Sequence, residues 1–340
     1  MGVIRAGQIN QLTFGLKSFM IVMYALVLYS MGGLPVKSDY PDGVWPVMLT
    51  PFTDDNRIDE ASLKRLVDWY IERGVDGLFA VCQSSEMFFL SLEERVHLTE
   101  AVMRFADGRV PVIASGQVSD TLEGQLEEIN AVAACGPSAV ILITNRFAAK
   151  DESDEVWLAN LQALLDRLDP SIPLGFYECP YPYKRVICPE TLGKVARTGR
   201  FFLMKDTCCD AALIREKLAA IEGTPLRLYN ANTATLWDSL QAGAAGYSGV
   251  MANFHPELYV WLCRHFTDDP AKAKLVSDFL TVASFIEHKP YPVNAKYHQQ
   301  LIGNFASLMT RTRPASDLDE TNRSEVLQLK ELSDMIAARL

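Results

Sequence analysis

The chain predicts a closed parallel (β/α)8 barrel, a TIM barrel, with a C-terminal helical appendage, and three observations carry that prediction. From Val44 onward, short apolar runs alternate with amphipathic stretches eight times, the pattern of strands alternating with helices. Eight such units in about 220 residues match the chain length this barrel needs. Polar residues gather where the apolar runs end, which is where a barrel of this kind keeps its functional groups. A doubly wound open sheet is the alternative, but the glycine fingerprint of its first turn is missing.

Strands are expected over 44–49, 77–81, 112–114, 139–143, 174–177, 201–204, 227–229 and 246–249. The first helix places Leu63, Leu66, Val67, Tyr70 and Ile71 on one face, opens at Asp59 and stops at Gly74. The second opens with Ser91-Leu92-Glu93-Glu94, a capping box whose side chains satisfy orphan amide donors. Further helices are expected over 121–135, 154–167, 189–198, 212–221, 233–242 and 256–265. Helical patterns over 270–287, 293–302 and 325–339 cannot extend a closed barrel and form the appendage. The expected division is an unassigned extension over 1–40, a barrel over 41–265 and a helical region over 266–340.

Composition narrows the function. With 49% hydrophobic and 22% charged residues, the chain has ample core for a globular fold. A net charge of −10 and a pI near 5.1 argue against nucleic acid or an anionic membrane surface as partner. Neither excludes a small anionic substrate, because the field of a site is local. The seven cysteines (82, 135, 179, 188, 208, 209 and 263) lack framework spacing, so free buried thiols in a reducing compartment are expected. No H-E-x-x-H, Walker or G-x-G-x-x-G motif occurs, so no metal and no cofactor are expected.

The first forty residues differ in character from the rest of the chain. The apolar run over 19–29, preceded by Lys17 and Arg5, is shaped like a signal-peptide core and is short for a spanning helix. A secretory signal, an interfacial anchor and translated sequence upstream of the true start compete, with Met20, Met23 and Met31 available as starts. The last is favoured, because the remainder looks like a cytoplasmic enzyme.

Lys205 is the most informative residue. It closes the run Phe201-Phe202-Leu203-Met204 and so reaches the rim of the sheet on a buried strand. Desolvation there lowers an amine's pKa, and a neutral amine attacks a ketone to form a Schiff base, an electron sink. The plain alternative, a snorkelling surface lysine, is outweighed by the company Lys205 keeps. Tyr177 ends the preceding strand, so barrel geometry brings its phenol beside the amine as a proton carrier. Ser84 and Ser85, with their backbone amides, offer donors for a carboxylate. Thr50-Pro51-Phe52, Thr144-Asn145-Arg146, Asn230-Ala231-Asn232 and Ser248-Gly249 occupy other strand ends. This is chemistry for a carboxylated carbonyl compound.

From about Gly43 to Pro314 the arrangement resembles the dihydrodipicolinate synthase / N-acetylneuraminate lyase family of class I pyruvate aldolases. Val47-Met48-Leu49-Thr50-Pro51-Phe52 is similar to its opening strand and T-P-F turn. Cys82-Gln83-Ser84-Ser85-Glu86 lies where the family has G-[TS]-T-G-E, and Tyr177-Glu178-Cys179-Pro180 resembles its Y-N-x-P segment. Met204-Lys205-Asp206-Thr207 resembles its lysine strand, and Lys289-Pro290-Tyr291-Pro292-Val293 its late N-P-x-P-V element. The resemblance implies Lys205 as Schiff-base lysine, Tyr177 as proton relay, and Ser84 and Ser85 on the pyruvate carboxylate. It implies Thr207 in the position of a threonine found in members that cleave sugar acids, and Ser248 and Gly249 under the pyruvyl group. A 2-keto acid with an aldehyde partner, and a homodimer or homotetramer, are implied by the same likeness.

The departures bear on substrate. Cys82 replaces a glycine, and Gln83 replaces a relay hydroxyl. Thr144 stands for a second relay tyrosine, and Pro182 for an arginine that binds the second substrate of the synthases. Lys184 or Arg185 is a candidate for a displaced anion-binding role. Asn232 falls where sialate-cleaving members use an acidic group. The expectation is a carbon–carbon lyase or aldolase. A keto-acid dehydratase or hydratase-aldolase is the near variant, and a catalytically weakened keto-acid sensor is the reading from another class.

Overall fold

The computed structural model describes residues 40–340. The extension expected over 1–40, its apolar run and its alternative starts lie outside the described residues, apart from Tyr40. Eight strands form one sheet in the order β1-β8-β7-β6-β5-β4-β3-β2, every pairing parallel. They are β1 (Gly43–Val44), β2 (Leu78–Phe79), β3 (Val112–Ala114), β4 (Ala139–Ile143), β5 (Leu174–Tyr177), β6 (Phe201–Asp206), β7 (Arg227–Asn230) and β8 (Gly246–Tyr247). A parallel bridge between Val47 and Phe79, with the Met48 amide on the Phe79 carbonyl at 3.0 Å, joins the first segment to β2 and closes the barrel.

The strands are nearly all buried, as a parallel sheet covered by helices requires. The helices between them are α1 (Glu60–Glu72), α2 (Leu92–Ala106), α3 (Leu122–Ala134), α4 (Asp154–Leu165), α5 (Pro189–Ala196), α6 (Ala211–Ala220), α7 (Leu236–Gln241) and α8 (Pro256–His265). Asp59 caps α1 by accepting from the Ser62 amide, and Gly74 takes the positive φ that ends it. The Ser91/Glu94 capping box forms on α2.

Several boundaries differ from expectation by a few residues, and four of them have a local reason. The strand expected over 44–49 is regular only at Gly43–Val44; Pro46 has no amide to donate, and beyond it the pairing with β2 continues as the bridge at Val47. The helix expected over 233–242 begins only at Leu236, since Thr233 is bonded to the phenol of Tyr259 at 2.7 Å and Asn232 accepts from the Thr235 amide at 3.1 Å. The helix expected over 270–287 is α9 (Pro270–Ala283), which tightens into a 3₁₀ turn over Ser284–His288. The last helix, α11 (Glu320–Ala337), starts earlier than expected because Asp319 caps the Asn322 amide at 2.7 Å. Between them lies α10 (Val293–Leu301). α11 packs on α10 and α8, where Nδ1 of His255 meets the Ser333 hydroxyl at 2.8 Å. None of the described helices is long and apolar enough to cross a membrane.

Candidate active site

The tips of β5 and β6 define the site. Tyr177 and Lys205 are direct partners in the β5–β6 register. The Lys205 Nζ lies 4.0 Å from the centroid of the Tyr177 ring. Both are buried, at 4% and 8% exposure, yet both line a cavity of about 350 Å³ at the C-terminal end of the barrel. Burial lowers the Lys205 amine from 10.5 to about 8, offset only in part by Cys82, Cys179, Glu287 and Asp206. A value near 8 leaves about a tenth of the amine neutral at pH 7, against about three parts in ten thousand at its ordinary value. Burial, reinforced by the thiols of Cys179 and Cys82, pushes the Tyr177 phenol well above its ordinary range.

A buried charge cluster beneath the floor holds these two tips in register. Glu178 follows Tyr177 and Asp206 follows Lys205, and Nζ of Lys217 from α6 donates to both, at 2.6 and 2.5 Å. Glu178 also accepts from the amides of Ile187 at 2.9 Å and Thr207 at 3.0 Å. All three side chains are fully buried. Burial pushes the Glu178 carboxyl up while Lys217 pulls it back. Desolvation alone would depress the Lys217 amine, but Glu178 and Asp206 outweigh it and the net shift is upward.

The other predicted residues divide. Gln83, Ser84, Thr207, Asn232, Gly249 and Lys184 line the cavity with Tyr177 and Lys205. The Thr207 hydroxyl donates to the Glu178 carbonyl at 2.6 Å, and Nζ of Lys184 donates to the Thr207 carbonyl at 2.6 Å. Gly249 has no alternative: a Cβ there would lie 2.3 Å from the Tyr247 hydroxyl and 2.5 Å from the Ala231 carbonyl.

Ser85 does not line the cavity. Its hydroxyl lies 2.7 Å from the Ala80 carbonyl and 2.8 Å from that of Met48, and accepts from the Cys82 amide at 3.1 Å. It braces the turn that presents Ser84, and the Thr50 hydroxyl braces it again through the Ser85 carbonyl at 2.8 Å. Ser248 lies lower, lining a small void beneath Lys205, with its buried hydroxyl lacking a partner among the described residues.

Thr144 and Arg185 also stay out of the cavity. The Thr144 hydroxyl donates to the Arg185 carbonyl at 2.6 Å. The Arg185 guanidinium donates to the carbonyls of Ala149 and Glu152 and pairs with Asp154 at 2.8 Å, so the scaffold engages three of its five donors. The Asn145 amide donates to the carbonyls of Cys179, Tyr181 and Tyr183, pinning the loop after β5.

Three features escape a reading of the sequence alone. The Lys217 cluster has a signal: with Ile214 and Ile221 flanking it at helical spacing, Lys217 occupies a place on the buried face of α6. Glu86, at φ 62°, lies against the cavity while accepting from Nζ of Lys296 at 2.8 Å and from the amides of Arg311 and Thr312 at 2.6 and 2.9 Å. It ties the loop after β2 to α10 and the segment beyond. Glu287 enters the cavity from the 3₁₀ turn after α9, and no local pattern in the sequence announces it. A larger groove, about 550 Å³, runs beside Arg215, Glu222 and Arg227 at the other end of β7. It holds no strand-end chemistry, so the smaller cavity is the candidate site.

Comparison with known proteins bears on the family and the fold. The model of the dihydrodipicolinate synthetase family matches residues 40–332. A 4-hydroxy-tetrahydrodipicolinate synthase of Roseobacter denitrificans is 31% identical over 216 residues, covering 64% of this chain and 72% of that protein. One from Shewanella piezotolerans is 26% identical over 256 residues, covering 74% and 85%. Among solved structures, a monomeric dihydrodipicolinate synthase variant superposes with a TM-score of 0.78 at 22% identity, over 89% of this chain and 99% of that one. An E. coli K12 prophage protein of the dihydrodipicolinic acid synthase family, in complex with pyruvate, gives 0.76 at 24%, over 87% and 98%. At such identities the structures speak for the fold. The family match spans nearly all the described residues, and on that ground the chain belongs to the dihydrodipicolinate synthetase family.

Proposed function

We propose that this protein is a Schiff-base lyase or aldolase that forms or cleaves a carbon–carbon bond in pyruvate or a related 2-keto acid. The observation that carries the reading is a buried Lys205 amine without an ion-pair partner among the described residues, at a strand end, facing a cavity beside a tyrosine. In this reading neutral Lys205 attacks the C2 carbonyl. The carbinolamine then loses water to give an iminium, with Tyr177 carrying protons to and from the departing oxygen. Ser84 holds the carboxylate, and Gly249 leaves room for the pyruvyl group above Ser248. Two solved structures that this chain resembles hold pyruvate, which supports pyruvate as the donor.

Lys184 supports an anionic group on the second substrate. Its ammonium lines the cavity and uses one of three donors on the Thr207 carbonyl. Pro182 contributes no donor, so aspartate semialdehyde is expected to be a poor acceptor. The experiment is borohydride reduction of the protein with pyruvate, then peptide mass mapping. A pyruvyl adduct on Lys205 is expected; a protein left unlabelled is not a Schiff-base enzyme toward pyruvate.

A further inference from the structure

A lysine iminium becomes a carbon nucleophile only when a base removes a proton from C3 of the bound keto acid. The strand ends offer little for that step. The Gln83 amide cannot release and take up a proton as a hydroxyl does, and the Thr144 hydroxyl is committed to the Arg185 carbonyl. The Tyr177 phenol has the thiols of Cys179 and Cys82 near it, and Cys179 donates to the Gln83 amide oxygen at 3.4 Å.

Two carboxylates line the cavity. Glu86 is saturated by Lys296 and by the amides of Arg311 and Thr312. Glu287 is half-buried, lines the same cavity as Lys205, and has no hydrogen bond or ion pair among the described residues. It comes from the 3₁₀ turn after α9, so it approaches Lys205 from outside the barrel strands. An acceptor-only group with nothing to accept, inside a cavity that holds a nucleophilic amine, is placed for proton transfer.

We infer that Glu287 is the general base that takes the C3 proton of the Lys205 iminium and returns it when the enamine is protonated. The inference rests on the Schiff-base reading of Lys205. In the forward step the C3–H bond breaks and its proton goes to the Glu287 carboxylate. The bonding pair forms the C2–C3 double bond, and the iminium π pair moves to nitrogen, leaving a neutral enamine and a neutral acid. After the enamine attacks an aldehyde, the new alkoxide takes a proton from the acid, which restores the carboxylate.

The ionisable groups in range of Glu287 are Lys205 on β6, Tyr247 at the end of β8, Tyr259 on α8 and Tyr291 before α10; Lys184 and Glu86 line the same cavity. Burial pushes the Glu287 carboxyl up to about 7, against the pull of Lys205. A base poised near the working pH is the efficient choice.

The test tracks deuterium entering the methyl group of pyruvate in heavy water by NMR, beside borohydride labelling. Glu287→Gln should slow exchange by about 10²–10⁴-fold, the usual share of a general base, while Lys205 remains labelled. Glu287→Asp, which keeps a carboxylate on a shorter stem, should exchange faster than Glu287→Gln. In the unaltered protein, exchange should rise through pH about 7 as the acid ionises. Exchange by Glu287→Gln at about the unaltered rate overturns the inference, as does loss of labelling together with exchange, which marks a structural role. Should Glu287→Gln fail to fold, a pH profile of the unaltered protein without that rise overturns it. Absence of labelling in the unaltered protein instead sinks the Schiff-base reading, which keeps the two failures apart.

Discussion

Lys205 on β6 and Lys217 on the next helix, α6, are both buried, and their amines are driven in opposite directions. Lys217 is fully enclosed between two carboxylates placed just after Tyr177 and Lys205. Its proton is held more tightly than in water. Lys205 has no carboxylate within ion-pair distance among the described residues, and its proton is held more loosely. Burial is common to the two; pairing decides the outcome. The cluster around Lys217 spends its charge on fixing the strand tips, so that the charge on Lys205 can be left uncompensated beside the cavity.

The largest test of that contrast is at Lys205 itself. Replacing it with methionine keeps the volume and removes the nucleophile. Turnover of any 2-keto acid substrate should fall by several orders of magnitude, far beyond a packing effect. A variant with near-normal turnover would remove Lys205 from the chemistry.

Next in size is Lys217→Met. It leaves two buried carboxylates, Glu178 and Asp206, facing each other without a cation. Breaking a buried pair in this way costs about 3–5 kcal/mol, which a urea titration would report as a lower midpoint. Because Glu178 can then be neutralised by a proton, part of the loss should be recovered as pH falls. A variant as stable as the parent would mean that the cluster does not lock the tips.

The same measurement on Lys205→Met should move the other way. The folded-state pKa of Lys205 lies below its unfolded value of 10.5, at about 8. Below pH 8 both states bind the proton, and the folded state bears the full cost of a buried charge. As pH rises from 8 toward 10.5 the folded state loses its proton first, so stability rises and the cost fades. Lys205→Met should therefore be more stable than the parent near neutral pH, by at most about 3 kcal/mol for a shift of this size, and equal to it near pH 10.5. An unchanged midpoint at neutral pH would show that the amine is solvated after all, and the contrast with Lys217 would collapse.

The same physics sets what is legible in the sequence. The barrel is legible because apolar runs and capping boxes are local, and a parallel sheet reads as continuous apolar strands. Lys205 and Tyr177 are legible because adjacent strand ends in a parallel barrel are adjacent in space. Ser85 misleads: two consecutive serines look equivalent in sequence, and both are buried, but Ser84 lines the cavity while the Ser85 hydroxyl turns inward onto the carbonyls of Ala80 and Met48. Thr144 and Arg185 resemble strand-end chemistry, yet each is consumed by carbonyls in the loops around β5. Glu287 is illegible because it reaches the cavity from a turn some eighty residues beyond Lys205, and tertiary placement of that kind leaves no periodic trace.

Lys184 supplies the smallest and most specific test, being a third lysine with neither deep burial nor a carboxylate partner among the described residues. Lys184 lines the cavity, and its ammonium donates to the Thr207 carbonyl at 2.6 Å. A partly solvated charge gains about 1–2 kcal/mol from a substrate anion, between the values for exposed and buried contacts. Lys184→Gln should accordingly lower kcat/KM for succinic semialdehyde by about 5- to 30-fold, mostly through KM, because the contact forms with bound substrate before the bond changes. Butanal, of the same length and without the carboxylate, should lose little. The ratio of the two losses is the deciding quantity, since any disturbance of Lys205 or of the loop after β5 would slow both acceptors alike. Equal losses would mean that Lys184 only holds the Thr207 carbonyl, and that the cavity selects its second substrate by shape and hydrogen bonding from Gln83 and Asn232.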